Sequence, residues 1–93
     1  GRVGHMIYRV RYTKSFERDF KKLDKYTMRM LKTWIMKNLE ACENPRLKGK
    51  ALVGNRKGSW RYRIGDYRLI CSINDDELVI LALSVGHRKE IYK

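Results

Sequence analysis

The densest run of side chains able to do chemistry is WRYRIGDYRL, in which Arg61, Arg63 and Arg68 alternate with aromatic and aliphatic residues around Gly65-Asp66. A two-residue connection with glycine first suits a tight type II′ hairpin. With that turn at the tip, Ile64 pairs with Tyr67, Arg63 with Arg68, Tyr62 with Leu69 and Arg61 with Ile70. Arg61, Arg63 and Arg68 then project from one face, and Tyr62, Ile64, Tyr67, Leu69 and Cys71 form the apolar other face. Like charges directly across a strand pair are unfavourable, and an anion between Arg63 and Arg68 removes that penalty. Arginine suits the task because its planar fork donates bidentately to phosphate and stays charged. Two readings are open: a solvated basic face whose arginines splay into water, or a phosphate clamp.

Gly86-His87-Arg88 comes directly after the apolar run 78–85 and is placed to line a cleft at a strand end. A lone histidine such as His87 is also at home as a surface ring or a helix-cap donor. Arg88 reads either as part of the same cluster or as a tail charge, and Tyr92 as a staple docking the last turn. Lys48, Lys50, Arg56 and Lys57 are suited to contacts with backbone phosphates, or to keeping a loop in solution. Trp34 and Trp60 sit in periodic apolar patterns and read as core. Cys42 and Cys71 are far apart without Cys-x-x-Cys spacing, so they read as buried free thiols, and neither a metal site nor a cofactor is expected.

The elements that must position these residues fit into one small domain. The chain has 93 residues and a mass of 11.1 kDa, room for one modest core. Its formal net charge is +12, yet 43% of residues are hydrophobic, too many for a disordered basic tail. A folded domain this basic implies a polyanionic partner: nucleic acid, an acidic protein or an anionic membrane surface. The charge is concentrated, because residues 46–68 hold 8 basic and 1 acidic side chain whereas 69–93 hold 3 and 4. The longest uncharged run, 78–87, is half of what a membrane helix needs, and no signal-peptide pattern is seen, so a soluble cytoplasmic protein is expected. Residues 1–5 read as an expression-tag remnant and 6–93 as a single domain.

Residues 7–12 (IYRVRY) alternate apolar residues with arginine and predict a short strand. Thr13 or Ser15 then caps a helix carrying Phe16, Phe20 and Leu23 on one stripe and ending near Asp24. A second helix is expected over 27–43, with Met28, Leu31, Ile35, Leu39 and Cys42 on one face and Asn44-Pro45 as its stop. The short link makes the two an antiparallel hairpin. Residues 46–59 form a basic loop with a short ordered piece near 51–53, and strands are expected at 60–64, 67–73 and 78–85. The plan is α+β: an N-terminal strand, an antiparallel helical hairpin, then three sequential strands in a mostly antiparallel four-stranded sheet.

This order, with NPRLKG, DYRLIC and the closing VGHRKEIY, resembles the RelE/ParE superfamily of toxins over 6–92, a RelE-like or microbial-RNase-like fold. The sheet-face charges and the ending resemble the RelE branch, whose members are ribosome-dependent mRNA endonucleases held in check by a wrapping antitoxin. The resemblance implies site roles for Arg61 and Arg63 in WRYR, Arg68 in DYRL, Arg88 in GHRK and Tyr92, and related branches imply His87. It also implies metal-independent cleavage at the ribosomal A site, by attack of a ribose 2′-oxygen on the adjacent phosphate. Arg61 and Arg63 stand where the family's best-known pattern has lysines. Arginine is a poor proton acceptor, which leaves the base to His87 or to the ribosome. The implied partners are an acidic RelB-like antitoxin, the ribosome with mRNA, and operator DNA through the antitoxin complex. The alternatives are a ParE-like toxin that binds gyrase without cleaving, and a non-catalytic RNA- or ribosome-binding module.

Replacing Lys48 and Lys50 together by alanine should weaken RNA binding and flatten its salt dependence, by roughly one in log–log slope per lost phosphate contact. Filter binding across a salt series reads this directly, and an unchanged slope would put the footprint elsewhere.

Overall fold

The structure, a computed structural model, describes residues 7–52 and 58–87. Strand β1 (Arg9–Tyr12) turns Val10 and Tyr12 onto the core and leaves Arg9 and Arg11 exposed. Helix α1 (Lys14–Lys21) begins at Thr13, whose hydroxyl oxygen accepts the Phe16 N–H at 3.0 Å and donates to the Ala82 carbonyl at 2.9 Å. One side chain thus caps the helix and ties it to the sheet, and such caps contribute about 1 kcal/mol. Phe16 is buried, with Phe20 and Leu23 packed beside it.

Helix α2 (Lys25–Asn38) is capped by Asp24, which accepts the Thr27 N–H at 3.1 Å and its hydroxyl at 2.6 Å. Leu31, Ile35 and Leu39 are buried as the spacing requires, whereas Thr27 is the first buried residue of the stripe and Met28 is half-buried. The helix ends before residue 43, the expected limit. Ala41 adopts a φ of +62°, after which its N–H and the Cys42 carbonyl pair with the Tyr8 main chain at 2.9 and 2.8 Å. Main-chain pairing, rather than Pro45, is what stops α2. Pro45 instead presents its carbonyl to the Tyr62 hydroxyl at 2.5 Å.

The sheet has five strands in the order β1-β5-β4-β3-β2, with β2 (Lys50–Ala51), β3 (Trp60–Ile64), β4 (Tyr67–Asn74) and β5 (Val79–His87). Only the β1–β5 pair is parallel. The fold is the expected α+β class. The strand beyond the expected four is the two-residue β2, which lies within the predicted basic loop and pairs with β3. Gly65 opens the β3–β4 turn at φ +62°, and the hairpin register is the one derived from the sequence. The helices cover one face of the sheet, burying Tyr62, Leu69, Cys71, Ile80, Ala82 and Val85. Burial pushes the Cys71 thiol up to about 12. No helix among the described residues is long and apolar enough to cross a membrane.

One irregularity sets which way the end of β5 faces. Ile70 pairs with Ser84 and Cys71 with Ala82, so Leu83 has no partner and forms a β-bulge. Beyond it the alternation of β5 is inverted: Val85 and His87 turn to the helical face, Ser84 and Gly86 to the other. The Val85 N–H is accepted by Asp19 of α1 at 3.2 Å, which holds this segment of β5 against the helix.

At the opposite end of the strands, Arg46 binds Asp75 through two nitrogens at 2.9 and 3.0 Å, and the Tyr8 hydroxyl donates to the same carboxylate at 2.6 Å. Arg46 and then Tyr8 hold the Asp75 carboxyl below its usual range. A carboxyl with a lowered native pKa stabilises the fold above its unfolded pKa of about 4 and loses that contribution as pH falls through the native value. Asp75→Asn should therefore melt below the parent at neutral pH, and the gap should close as pH falls below about 4. Thermal melts across that range decide it; a gap independent of pH would show that the charge of Asp75 is immaterial.

Candidate active site

Alternation along β3 and β4 puts Arg61, Arg63 and Arg68 on the face away from the helices, with Arg63 directly opposite Arg68. Arg63 is exposed and Arg61 half-buried. Arg68 is only 6% exposed, where the hairpin pattern alone suggests a solvated side chain. Ile70, the next residue of β4 on this face, is fully buried too, so the face is closely packed rather than open around Arg68. The Arg68 Nε has no hydrogen-bond partner. A buried donor left unpaired costs about 1–3 kcal/mol, and an oxyanion reaching it would remove that cost.

The charged side chains at the described strand positions of this face have one sign. They are Arg9, Arg11, Lys50, Arg61, Arg63 and Arg68, with no Asp or Glu. Lys50 pairs across from Arg61. Lys48, Lys50, Arg61 and Arg63 join Trp34 around a cleft of about 370 Å³. Trp34 is therefore only partly core: its ring tilts against Tyr62 at 5.6 Å and its edge lines the cleft. Trp60 donates its indole N–H to the Lys48 carbonyl at 2.7 Å and carries the Arg46 guanidinium 5.9 Å from its ring centre. The loop bearing Lys48 is thereby fixed on β3.

His87 is not brought to the arginines. The bulge at Leu83 sends it to the helical face, where its ring meets Tyr67 edge-on at 5.6 Å and lines a cavity of about 440 Å³ with Asp19, Lys22 and Asp24. An uninterrupted alternation would have placed it on the other side. This corrects the expected convergence of His87 with Arg61, Arg63 and Arg68. Arg56, Lys57, Arg88 and Tyr92 lie outside the described residues.

Comparison with known proteins gives one answer. Residues 10–92 match the family model described as the ParE toxin of the type II toxin-antitoxin system parDE. Toxin RelG of Mycobacterium tuberculosis is 32% identical, over 95% of this chain and 99% of that protein. This chain belongs to the RelE/ParE family of type II toxins. Among solved structures, the RelBE2 toxin–antitoxin complex of M. tuberculosis aligns with a TM-score of 0.80 at 30% identity, covering 90% of this chain and 94% of that one. The isolated E. coli RelE toxin aligns at 0.69 and 25% identity, covering 91% and 90%.

For this RelE/ParE toxin, sequence reasoning grouped Arg61, Arg63 and Arg68 and missed Arg9 and Arg11, although their alternation with Val10 and Tyr12 was signal enough.

The toxin's cleft depends on Gly49. Its φ is +84°, and a Cβ there would run into the Arg61 carbonyl and lie 2.7 Å from the Trp60 indole nitrogen. Gly49→Ala should cost ~2 kcal/mol, roughly 10 °C in melting temperature for a domain of this size. Calorimetry checks it, and a variant melting within about 2 °C of the parent would show that the loop need not approach β3 this closely.

Proposed function

We propose that this toxin is a metal-independent endoribonuclease that cuts mRNA on the ribosome. The observation that carries the reading is the cross-strand set Arg61, Arg63 and Arg68 on a face without strand carboxylates, with the Arg68 Nε buried and unpartnered. Attack of a ribose 2′-oxygen on the next phosphate adds negative charge to the phosphorane as the P–O5′ bond breaks, leaving a 2′,3′-cyclic phosphate and a 5′-hydroxyl. Fixed guanidinium groups aimed at that charge supply electrostatic stabilisation without reorganising. Arg68 grips the scissile phosphate, Arg63 and Arg61 take the neighbouring oxygens, and Lys48 and Lys50 track the backbone along the cleft.

Arg88 and Tyr92 complete the site in this proposal, as the family resemblance implies, by aiding the leaving oxygen and orienting the attacking hydroxyl. Proton acceptance is the missing skill of an arginine cluster. With His87 on the helical face, the base comes from the ribosome-bound substrate's surroundings, and free RNA is a poor substrate. An acidic antitoxin is the proposed partner. The +12 charge favours it, and the RelBE2 complex and the RelE–RelB complex of Pyrococcus horikoshii are toxin–antitoxin assemblies of similar fold. The family model that matches is named for ParE, so gyrase inhibition is the competing outcome.

Adding purified toxin to a translating extract and mapping mRNA ends by primer extension separates the two. New ends at ribosome-occupied codons, reduced about 10²–10³-fold in rate by Arg68→Ala and by the charge-conserving Arg68→Lys, are expected. Loss of DNA supercoiling activity without new ends would replace the nuclease reading with the gyrase one.

A further inference from the structure

Ser84 lies diagonally beside Arg68 across the β4–β5 ladder. Arg68 pairs with Gly86, and the next position on the same face of β4, Ile70, pairs with Ser84. Two buried side-chain polar atoms without a hydrogen-bond partner occur among the described residues, the Arg68 Nε and the Ser84 Oγ, and the register makes their residues diagonal neighbours on one face of the sheet. They do not bond each other. The Nε–H can only donate whereas the hydroxyl can donate as well as accept, so one acceptor reached by both satisfies the two together, and beside a guanidinium an anionic acceptor is favoured. Between them Gly86, directly opposite Arg68, contributes no side chain, and its φ is not in the left-handed region. Glycine is thus not required there by backbone conformation. What it leaves is a position directly opposite Arg68 with no side chain.

We infer that Ser84, Arg68 and the bare main chain of Gly86 form a slot for a non-bridging phosphate oxygen, with the Ser84 hydroxyl as a further substrate-binding group. The β-bulge at Leu83 builds the slot, because it alone turns Ser84 and Gly86 to this face. A phosphodiester is favoured over a carboxylate because Arg63 stands opposite Arg68 and Arg61 and Lys50 continue the row, matching the repeating charge of a nucleic-acid backbone. The inference rests on the nucleolytic reading, and names a residue that reading does not use.

The test compares the parent, Ser84→Ala, Ser84→Thr and Gly86→Ala of the full chain in melts with inorganic phosphate or chloride at matched ionic strength. Phosphate should raise the parent's melting temperature, and Ser84→Ala and Gly86→Ala should each lose at least half of that shift while Ser84→Thr keeps it. In chloride, Ser84→Ala should melt at or above the parent, because removing an unpaired buried hydroxyl relieves a desolvation cost; a merely structural serine would give a lower value. In the translating extract Ser84→Ala should cut mRNA roughly 10- to 100-fold more slowly, as expected for a lost hydrogen bond to a charged group. Equal phosphate shifts in all four proteins, or parental cleavage by both Ser84→Ala and Gly86→Ala, would overturn the slot. So would stabilisation by acetate matching that by phosphate, which would assign it to a protein carboxylate. A parent that cuts no mRNA yet keeps the Ser84-dependent phosphate shift supports the slot and removes only the nuclease reading.

Discussion

The phase of the β4–β5 ladder is the constraint on which the rest of this toxin depends. A strand has a side-chain period of two, so one unpaired residue exchanges its faces from that point on. Leu83 is that residue. Before it, Ile80 and Ala82 face the helices; after it, Val85 does, so the bulge keeps an apolar side chain over the core while handing Ser84 and Gly86 to the arginine face. Asp19 secures the arrangement by accepting the Val85 N–H. Core packing and site chemistry are therefore settled by the same single-residue insertion.

A second set of interactions fixes the basic loop. Tyr8, Arg46 and Asp75 join the segment before β1, the segment after α2 and the β4–β5 turn, and Arg46 also reaches the Trp60 ring. An exposed ion pair alone is weak, but a bidentate arginine sharing its carboxylate with a tyrosine hydroxyl is geometrically restrained. Trp60 then grips the Lys48 carbonyl, and Gly49 permits the close approach. The lysines reach the cleft because a chain of short-range contacts leaves the loop one path.

Much of this was legible in the sequence. The helical stripes of Phe16 and Phe20 and of Leu31, Ile35 and Leu39 carried their periodicity openly, and Gly65-Asp66 announced the hairpin register. Arg61, Arg63 and Arg68 could be grouped on one face from that register alone. The position of His87 could not, because nothing in LVILALSVGH marks a bulge: no glycine or proline flanks Leu83, and the choice between phases is made by which apolar side chains the helices bury. The end of α2 was hidden for a similar reason, since its stop is a main-chain pairing with Tyr8, far away in sequence. Local signals gave way wherever a distant segment supplied the competing bond.

The parallel pairing of β1 with β5 joins the first described strand to the last. Contacts so far apart in sequence form late, after the intervening chain has been made and its loop-closure entropy overcome. During synthesis the helical hairpin can assemble early, but β5, inside the sheet between β1 and β4, arrives only when residue 87 has emerged, and one wall of the phosphate slot arrives with it. The topology thus makes completion of the sheet wait for its last strand: without β5, neither β1 nor β4 has its inner neighbour.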